Sequence, residues 1–322
     1  MWLALGIIIG LIGFITAATF IGGLIGYIVV FVRTKKDYED PVPDDPNKEL
    51  FERQREEGIA YLKTIPHEAV ELRSRDGLTL RGFYIPTEQP SNKMVLLAHG
   101  FVSNRYDFAC AIKAYHEKMG FNILMLDHRC HGESDGRYIG FSALEWPDTL
   151  AWAEAFRGRL GDHPLVALHG ASMGGNVVLN ANASNPLTYI KCVVADCPFT
   201  CGYEMVKNVA KKELHLHYPP GIWAMAMWFR VFTGKSLMKD TDSLRLVGSM
   251  KAPTLYVHGE ADPYVPAWMG RALYDATRAE RDCLFIEGAG HGYSYAVGKE
   301  AYEAKLEAFY GKYMRETEEE IN

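Results

Sequence analysis

One stretch near the middle of the chain, residues 165–175, constrains the fold more than any other segment. A short apolar run is followed directly by the pattern Gly-x-Ser-x-Gly around Ser172 and then by a helix-like segment. A serine on such a sharp turn between a strand and a helix stands exposed at the carboxyl edge of a parallel sheet. Gly170 and Gly174 supply the small neighbours that the tight turn requires. The pattern therefore predicts a strand, a strained turn and a helix, with a nucleophilic hydroxyl on the turn.

The segments around this stretch alternate between short apolar runs and helix-like sequence, and no internal repeat is visible. Strands that read as continuous apolar runs are buried on both faces, as in a parallel sheet. The pattern predicts strands at His67–Arg73, Leu78–Ile85, Met94–Ala98, Phe121–Leu126, Pro164–His169, Ile190–Ala195, Thr254–His258 and Cys283–Ile286. The first two are joined by Asp76-Gly77 and predict a hairpin. The expected class is α/β, a doubly wound, mostly parallel sheet with helices on both sides.

Residues 200–250 break this alternation and predict a helical lid inserted into an α/β core of residues 64–199 and 251–315. The insertion contains a dense apolar stretch, residues 222–229, rich in tryptophan and methionine. Two interpretations stay open: these side chains form the inner face of a lid helix, or they form an apolar wall that faces the substrate. In the second case Trp223, Met227 and Trp228 would line the substrate pocket.

The N-terminus carries no charged side chain from Met1 through Val32, and basic residues follow at once. A bilayer core needs roughly 20 apolar residues to be spanned by a helix, and this run exceeds that length. A cleaved signal peptide is the alternative, but its apolar core is shorter and a basic region precedes it. Residues 1–36 are therefore expected to be a single-pass transmembrane anchor, and residues 37–63 an acidic, proline-containing linker followed by a helix.

The basic residues beside the span predict its orientation. Arg33, Lys35 and Lys36 lie on its C-terminal side, so the positive-inside rule places the main domain in the cytoplasm, at the cell membrane. Two Gly-x-x-x-Gly patterns within the span, at Gly6/Gly10 and Gly22/Gly26, are compatible with a homodimer through this helix or simply with the glycine content of such helices.

Charge and cysteine usage exclude several classes of function. The net charge is −6 and no basic cluster appears, so nucleic acid is not an expected partner. Six cysteines in a chain of this length form no disulfide framework, and the spacing of Cys197 and Cys201 does not fit a zinc site. The polar segment 127–136 resembles a metal site only at first sight, because Arg129 places a fixed charge between His128 and His131. Neither a metal nor a cofactor is expected.

A serine nucleophile needs a base and an acid that orients the base, and these follow the serine in the chain in this type of sheet. Asp262 comes just after the strand at residues 254–258, and His291 follows the next strand. All three residues lie beyond the carboxyl ends of predicted strands, where open α/β sheets place their sites. Asp196 and Glu260 remain alternative acids, whereas His291 is the only histidine after Asp262. Ser172, Asp262 and His291 are therefore the predicted catalytic residues.

The tetrahedral intermediate of acyl transfer needs backbone N–H donors. The residue after the nucleophile, Met173, is one candidate, and the loop after an early strand supplies the other. His99-Gly100-Phe101 follows the strand at residues 94–98, so the N–H of Phe101 is the second candidate.

These motifs, in this order, resemble the α/β-hydrolase superfamily, and in particular bacterial membrane-anchored or cytosolic serine hydrolases of the esterase, lysophospholipase and serine-peptidase-like branch. The motifs are His99-Gly-Phe, Asp127-x-Arg-x-His-Gly-x-Ser134, Gly170-x-Ser-Met-Gly174, His258-Gly-x-x-Asp262 and Gly290-His291. The resemblance covers roughly His67 to Tyr313, and Cys130 departs from the small residue that relatives often carry there.

The expected function is a membrane-anchored serine hydrolase that cleaves acyl esters through an acyl-enzyme, with a lipid-like or other small acyl substrate. A serine peptidase or an acyl thioesterase would use the same triad. A hydrolase fold that serves only as a membrane-bound interaction module is the alternative from another class, although no triad residue is missing.

Overall fold

A computed structural model describes residues 1–33, 45–184, 187–212 and 218–315 of the chain. Eight strands form one sheet in the order β1-β2-β4-β3-β5-β6-β7-β8, in which only the pairs β1–β2 and β2–β4 are antiparallel. The strands are β1 (Glu68–Arg73), β2 (Thr79–Ile85), β3 (Lys93–Ala98), β4 (Asn122–Leu126), β5 (Leu165–Ala171), β6 (Ile190–Asp196), β7 (Thr254–Gly259) and β8 (Arg281–Ile286). The predicted mostly parallel sheet is confirmed, with the predicted hairpin at its edge.

Helices pack on both faces of this sheet, and one long helix precedes it. The described helices are α1 (Trp2–Phe31), α2 (Lys48–Leu62), α3 (Glu145–Arg157), α4 (Met173–Ser184), α5 (Gly202–Lys212), α6 (Pro219–Thr233), α7 (Ser243–Leu246), α8 (Ala267–Ala276), α9 (Ser294–Val297) and α10 (Lys299–Tyr313). Three of them, α5, α6 and α7, lie within the predicted lid insertion.

The segment after β3 differs from the helix that its sequence suggests over residues 107–119. It forms a 3₁₀ helix over Arg105–Ala111 and a short π-helical turn over Ala114–Lys118. The carboxylate of Asp127 accepts hydrogen bonds from the backbone and guanidinium of Arg105 and holds the first turn in place. From the other side α2 approaches so closely at Gly58 that an added Cβ would lie 1.9 Å from the carbonyl oxygen of Ala109. These tertiary contacts override a regular α-helix here.

The core consists of two apolar layers, one on each face of the sheet. On one face α3 and α4 cover alternate side chains of β3, β5 and β6, with Trp152 at the centre. On the other face α2, the 3₁₀ segment and α10 cover the remaining side chains, with Tyr115 and Phe121 fully buried. Burial on both faces explains why the central strands read as unbroken apolar runs.

Helix α1 is long and apolar enough to span a bilayer, with a mean hydropathy of 2.4 over its most apolar window. Its first 18 residues are exposed on every side, but its C-terminal part packs against α6 and the loop before α3. Tyr27 and Phe31 are fully buried there, and an antiparallel bridge joins Val32 to Tyr138. The sequence alone did not reveal this docking.

The glycine patterns of α1 have different surroundings. Gly6 and Gly10 lie in open space, whereas Gly26 approaches the sulfur of Met225 in α6. Part of the second pattern is therefore used within the chain, and a homodimer through the first stays a prediction.

The described part of the structure resumes at Asp45, which lies beside the loop that carries His291. The side chain of Asp45 packs directly on Gly290, and Asn47 donates a hydrogen bond to the carbonyl of Gly288 at 3.0 Å. Most of the predicted linker, and with it Lys35 and Lys36, lies outside the described residues.

Candidate active site

Ser172 lies on the turn between β5 and α4, and its backbone is strained as the sequence pattern suggests. Its φ angle is +53°, in the left-handed region that few residues other than glycine adopt. An added Cβ at Gly174 would lie 1.9 Å from the carbonyl oxygen of Ala98, and one at Gly170 would lie 2.0 Å from that of Gly174. Only glycine fits at these two positions, and this is why the turn can hold the serine at the sheet edge.

Ser172, His291 and Asp262 form a continuous hydrogen-bonded chain. Nε2 of His291 lies 2.9 Å from Oγ of Ser172, and Nδ1 lies 2.7 Å from Oδ2 of Asp262. The other carboxylate oxygen of Asp262 accepts the backbone N–H groups of Tyr264 and Val265, both at 2.8 Å. The imidazole is thus fixed in the orientation that a general base beside a serine requires.

The two alternative acids lie elsewhere. Asp196 accepts hydrogen bonds from the hydroxyls of Tyr302 at 2.9 Å and Ser294 at 3.2 Å. Glu260 pairs with Arg271 on the surface. The structure therefore brings Asp262, and neither of these acids, against Nδ1 of His291.

The charge of Asp262 stabilises the imidazolium that forms when His291 takes a proton. Burial disfavours the imidazolium, but the charge and hydrogen bond of Asp262, with a contribution from Cys197, outweigh it and raise the pKa of His291 well above its usual value. Burial alone would raise the pKa of Asp262, yet the two neighbouring histidines, His291 and His258, hold it below its usual range. A base of this kind takes a proton from Ser172 more readily than an isolated histidine does.

The raised pKa of His291 predicts the pH dependence of the reactive serine. Below that pKa the imidazole is protonated and cannot accept the serine proton, so the rate constant for inactivation by a fluorophosphonate should rise with pH through a midpoint above 6.5. Asp262→Asn removes the charge that raises the pKa and should move the midpoint down. Glu260→Gln, a change at an exposed acid nearby, serves as the control. An unchanged midpoint in Asp262→Asn would contradict this assignment.

The two predicted oxyanion donors lie next to the serine. Met173 begins α4, and the first N–H groups of a helix have no partner within it. Across the site, a methyl group placed on Gly100 would lie 3.5 Å from Cβ of Ser172, so the Gly100–Phe101 backbone adjoins the nucleophile. The Phe101 ring contacts Phe141 edge-on, with centroids 5.5 Å apart, which fixes this loop.

Three buried histidines, His99, His128 and His131, cluster beside the loop that carries Phe101. Nε2 of His131 accepts the N–H of Val102 at 3.2 Å, and Nε2 of His99 accepts the N–H of His128 at 3.0 Å. Backbone groups therefore occupy the Nε2 atoms of His131 and His99, whereas Nε2 of His128 is buried and has no hydrogen-bond partner among the described residues. In the same segment, Arg129 pairs with the carboxylates of Asp148 and Asp76.

The buried histidines predict acid sensitivity. Burial lowers the pKa of His99 to about 4 and that of His131 and His169 to about 3. The unfolded chain takes up protons near pH 6.5, so the free energy of unfolding should fall below pH 6.5 by up to about 1.4 kcal/mol per pH unit for each histidine. Urea unfolding in detergent at several pH values measures this. His169→Gln should reduce the slope, whereas a change at the exposed His163 should not; a flat profile between pH 6.5 and 5 would contradict the prediction.

Two features near the triad were not foreseen from the sequence. Sγ of Cys197, Asp262 and His291 offer ligand atoms within 4.8 Å of one another, so a buried thiol adjoins the base. Burial raises the pKa of Cys197 to about 11, and the thiol is therefore neutral.

The second feature is a buried network in which Tyr302 connects His169 to Asp196 by hydrogen bonds of 3.1 and 2.9 Å. Polar residues at the ends of otherwise apolar strands were the sequence signal for this network.

A small cavity of about 90 Å³ opens beside Ser172. Its described lining includes Phe51, Phe101, Phe108, Asp196, His291 and Tyr293. This volume is enough for a small group next to the hydroxyl of Ser172.

The predicted pocket residues Trp223, Met227 and Trp228 are not among the described residues that line this cavity. Trp228 instead donates its indole N–H to the carbonyl of Phe20 in α1 at 2.9 Å, and Trp223 packs edge-on against the ring of Phe20. Both tryptophans contact α1 because that helix docks on α6, which the lid sequence could not indicate. The inner side of α6 is formed by Met225 and Phe229, in an apolar cluster that also contains Met173.

Comparisons with known proteins agree with this architecture. The profile of the alpha/beta hydrolase fold matches residues 93–231. The uncharacterized protein YqkD of Bacillus subtilis is 24% identical over 300 residues, which cover 92% of this chain and 93% of that protein. The lysophosphatidylserine lipase ABHD12 of Macaca fascicularis is 26% identical over 237 residues, 69% of this chain and 56% of that one.

A solved structure, the esterase PF2001 of Pyrococcus furiosus, superimposes with a TM-score of 0.65 and 20% identity, over 88% of this chain and 99% of the esterase. The sheet order, the profile match and this superposition agree: the chain has the α/β-hydrolase fold.

Proposed function

We propose that this protein is a membrane-anchored serine hydrolase that cleaves acyl esters through an acyl-enzyme on Ser172. The observation that carries the proposal is the hydrogen-bonded chain from Ser172 through His291 to Asp262, with distances of 2.9 and 2.7 Å. Serine, histidine and aspartate in this order of contact are the groups that acyl transfer needs.

In the first half of the reaction, Oγ of Ser172 attacks the ester carbonyl while Nε2 of His291 takes its proton. The carbonyl oxygen becomes an oxyanion, which the N–H groups of Met173 and Phe101 stabilise. The intermediate then expels the alcohol, which leaves with the proton from His291, and the acyl group remains on Ser172. Asp262 stays ionised throughout and holds the imidazole.

In the second half, a water molecule gives a proton to His291 and attacks the acyl-enzyme. The tetrahedral intermediate collapses, Oγ of Ser172 recovers its proton from Nε2, and the carboxylic acid leaves. Losing one oxyanion donor would cost about 10²- to 10³-fold in kcat.

The substrate is proposed to be amphiphilic, with a small group on one side of the ester and an apolar group on the other. The cavity of about 90 Å³ beside Ser172 fits a small group. The apolar cluster under α6, which reaches Met173 and Phe101, offers the other side of the site an apolar surface. The similarity to an esterase and to a lysophosphatidylserine lipase supports an ester of this kind.

Retention of α1 as an anchor, rather than its removal as a signal peptide, is supported by its contacts. Tyr27 and Phe31 are fully buried, and Arg33 donates hydrogen bonds to the carbonyls of Gly132 and Ser134. Cleavage after α1 would expose Phe229 and Met225 of the lid to water. With basic residues after the span, the domain is proposed to be cytoplasmic, so protease added outside intact cells should leave it intact.

The test is covalent labelling by a fluorophosphonate, followed by turnover of esters of rising chain length beside matched thioesters and aminoacyl amides. We expect labelling of the wild-type protein and hydrolysis of the esters. Turnover restricted to amides would assign a peptidase, and turnover restricted to thioesters would assign a thioesterase. A folded protein that neither labels nor turns over any of these substrates would indicate a non-catalytic interaction module and contradict the proposal.

A further inference from the structure

Helix α1 is longer than a bilayer requires. Its 30 residues extend about 45 Å, whereas the hydrocarbon core of a bilayer is about 30 Å thick. The exposed first 18 residues nearly suffice to span it, and the remainder of the helix lies beside α6. The level at which α6 meets α1 is therefore close to the edge of the hydrocarbon core.

The contact between the two helices begins at this level and is tight. Oγ1 of Thr19 lies 2.7 Å from the hydroxyl of Tyr218, just before α6 begins. One turn further along α1, an added Cβ on Gly23 would lie 2.6 Å from Cβ of Ala224. The helix α6 is thus held rigidly against the part of α1 that emerges from the proposed span.

The outer sides of both helices are apolar and exposed. On α6, Trp223 is 51% exposed and Val231 is 61% exposed, two turns apart on one stripe with Met227 between them. On α1, Ile21, Ile25 and Val29 are each more than half exposed. We call this surface the α1–α6 apolar face; it consists of Ile21, Ile25, Ile28, Val29, Trp223, Val231 and Phe232.

The composition around this face is that of a membrane interface. Tyr218, Trp223 and Trp228 lie where α6 meets α1, and tryptophan and tyrosine concentrate at the level of lipid headgroups. Exposed basic residues, Arg33, Arg137 and Arg230, lie on the elements that adjoin the face. Basic side chains near a membrane surface are attracted to lipid phosphates.

We propose that α6 is a second membrane-contacting element, which lies in the interface of the bilayer that α1 spans and turns its outer side toward lipid. The occupant of the α1–α6 apolar face is therefore phospholipid. An exposed apolar surface that continues directly into a spanning helix is most simply covered by the same bilayer.

This placement has a consequence for the substrate, which rests on the proposed function. The inner side of α6, through Met225 and Phe229, belongs to the apolar cluster that contains Met173. A path along α6 therefore connects the lipid surface with the site, and the substrate would be an amphiphile drawn from the bilayer.

The test measures lipid contact and needs no turnover, so it is run in a Ser172→Ala background. The full-length protein is placed in phosphatidylcholine vesicles that carry bromine either near the headgroup or deep in the acyl chains. Val231→Trp adds a tryptophan to the proposed lipid contact. Lys251→Trp adds one at an exposed position before β7, at the opposite edge of the sheet, and is the matched control.

We expect the fluorescence of the added tryptophan at position 231 to be quenched by bromine near the headgroup and protected from acrylamide. The fluorescence of the tryptophan at position 251 should be quenched by acrylamide and unaffected by the brominated lipids. Trp223→Phe should lower the bromine-quenched fraction of the emission, whereas Trp146→Phe should not. Equal behaviour of the 231 and 251 proteins would overturn the proposal. Shielding of position 231 from both quenchers, with a dimer in crosslinking, would also overturn it and assign the face to a second copy. Lipid contact of position 231, together with a wild-type protein that hydrolyses none of the esters, thioesters and amides, would instead overturn only the proposed function.

Discussion

Replacing Ser172 by alanine is expected to lower kcat for ester hydrolysis by about 10⁶-fold, with fold and membrane association unchanged. The change removes the nucleophile, and the oxyanion donors alone give only residual rate enhancement. Asp262→Asn should cost about 10⁴-fold, because the imidazole loses the partner that fixes its tautomer and orientation. The combined variant should be no slower than Ser172→Ala alone, since the three residues act as a unit.

The measurement is steady-state kinetics on the most reactive ester, with fluorophosphonate labelling as an independent readout. Ser249→Ala is the matched control, because that exposed hydroxyl donates a hydrogen bond to the nearby carbonyl of Leu246 and lies far along the chain from the turn. Full labelling and activity in Ser172→Ala would remove Ser172 as the nucleophile. Loss of activity in Ser249→Ala would show that the assay reports folding rather than catalysis.

Substituting Gly23 by leucine is expected to destabilise the protein by about 1–3 kcal/mol, whereas the same change at Gly22 should be neutral. A Cβ at position 23 would meet Cβ of Ala224 at 2.6 Å and its backbone at 2.8 Å, and a Cβ at position 22 would meet nothing within 4 Å. Both changes add the same apolar side chain to the same helix, so they alter the hydropathy of α1 equally. Only Gly23→Leu forces α1 and α6 apart.

Thermal unfolding of both variants in the same detergent provides the comparison, and activity reports on the lid. Because Phe31 contacts Phe141 and Phe141 contacts Phe101, displacement of α1 should also lower turnover in Gly23→Leu. Equal melting temperatures for the two variants would mean that α1 does not dock on α6.

The sheet and the position of the site were predictable because their signals are local. Each parallel strand is an apolar run buried on both faces. The turn at Ser172 needs glycine at positions 170 and 174, because a side chain there would collide with neighbouring backbone atoms. The chain order of acid and histidine then led to Asp262 and His291, and the structure places His291 against the serine and Asp262 against His291. Their catalytic role stays a prediction until the variants are measured.

The features that the sequence did not predict depend on contacts between distant segments. The irregular helix after β3 results from Asp127 and from the close approach of α2, neither of which is visible in its own sequence. Likewise, Cys197 adjoins His291 because β6 and the loop after β8 end at the same sheet edge. An apolar stretch such as residues 222–229 has the same composition whether it faces substrate, α1 or lipid.

The sequence by itself thus determined the α/β class, the turn at Ser172 and the apolar N-terminal helix, since periodicity, glycine spacing and hydropathy are properties of neighbouring residues. Only the tertiary structure decided which acid meets His291, where Trp223 and Trp228 lie, and that α1 packs against the lid helix α6. These features depend on which apolar surfaces pack against each other and away from water. Such contacts join residues more than a hundred positions apart in the chain, as between Phe20 and Trp228.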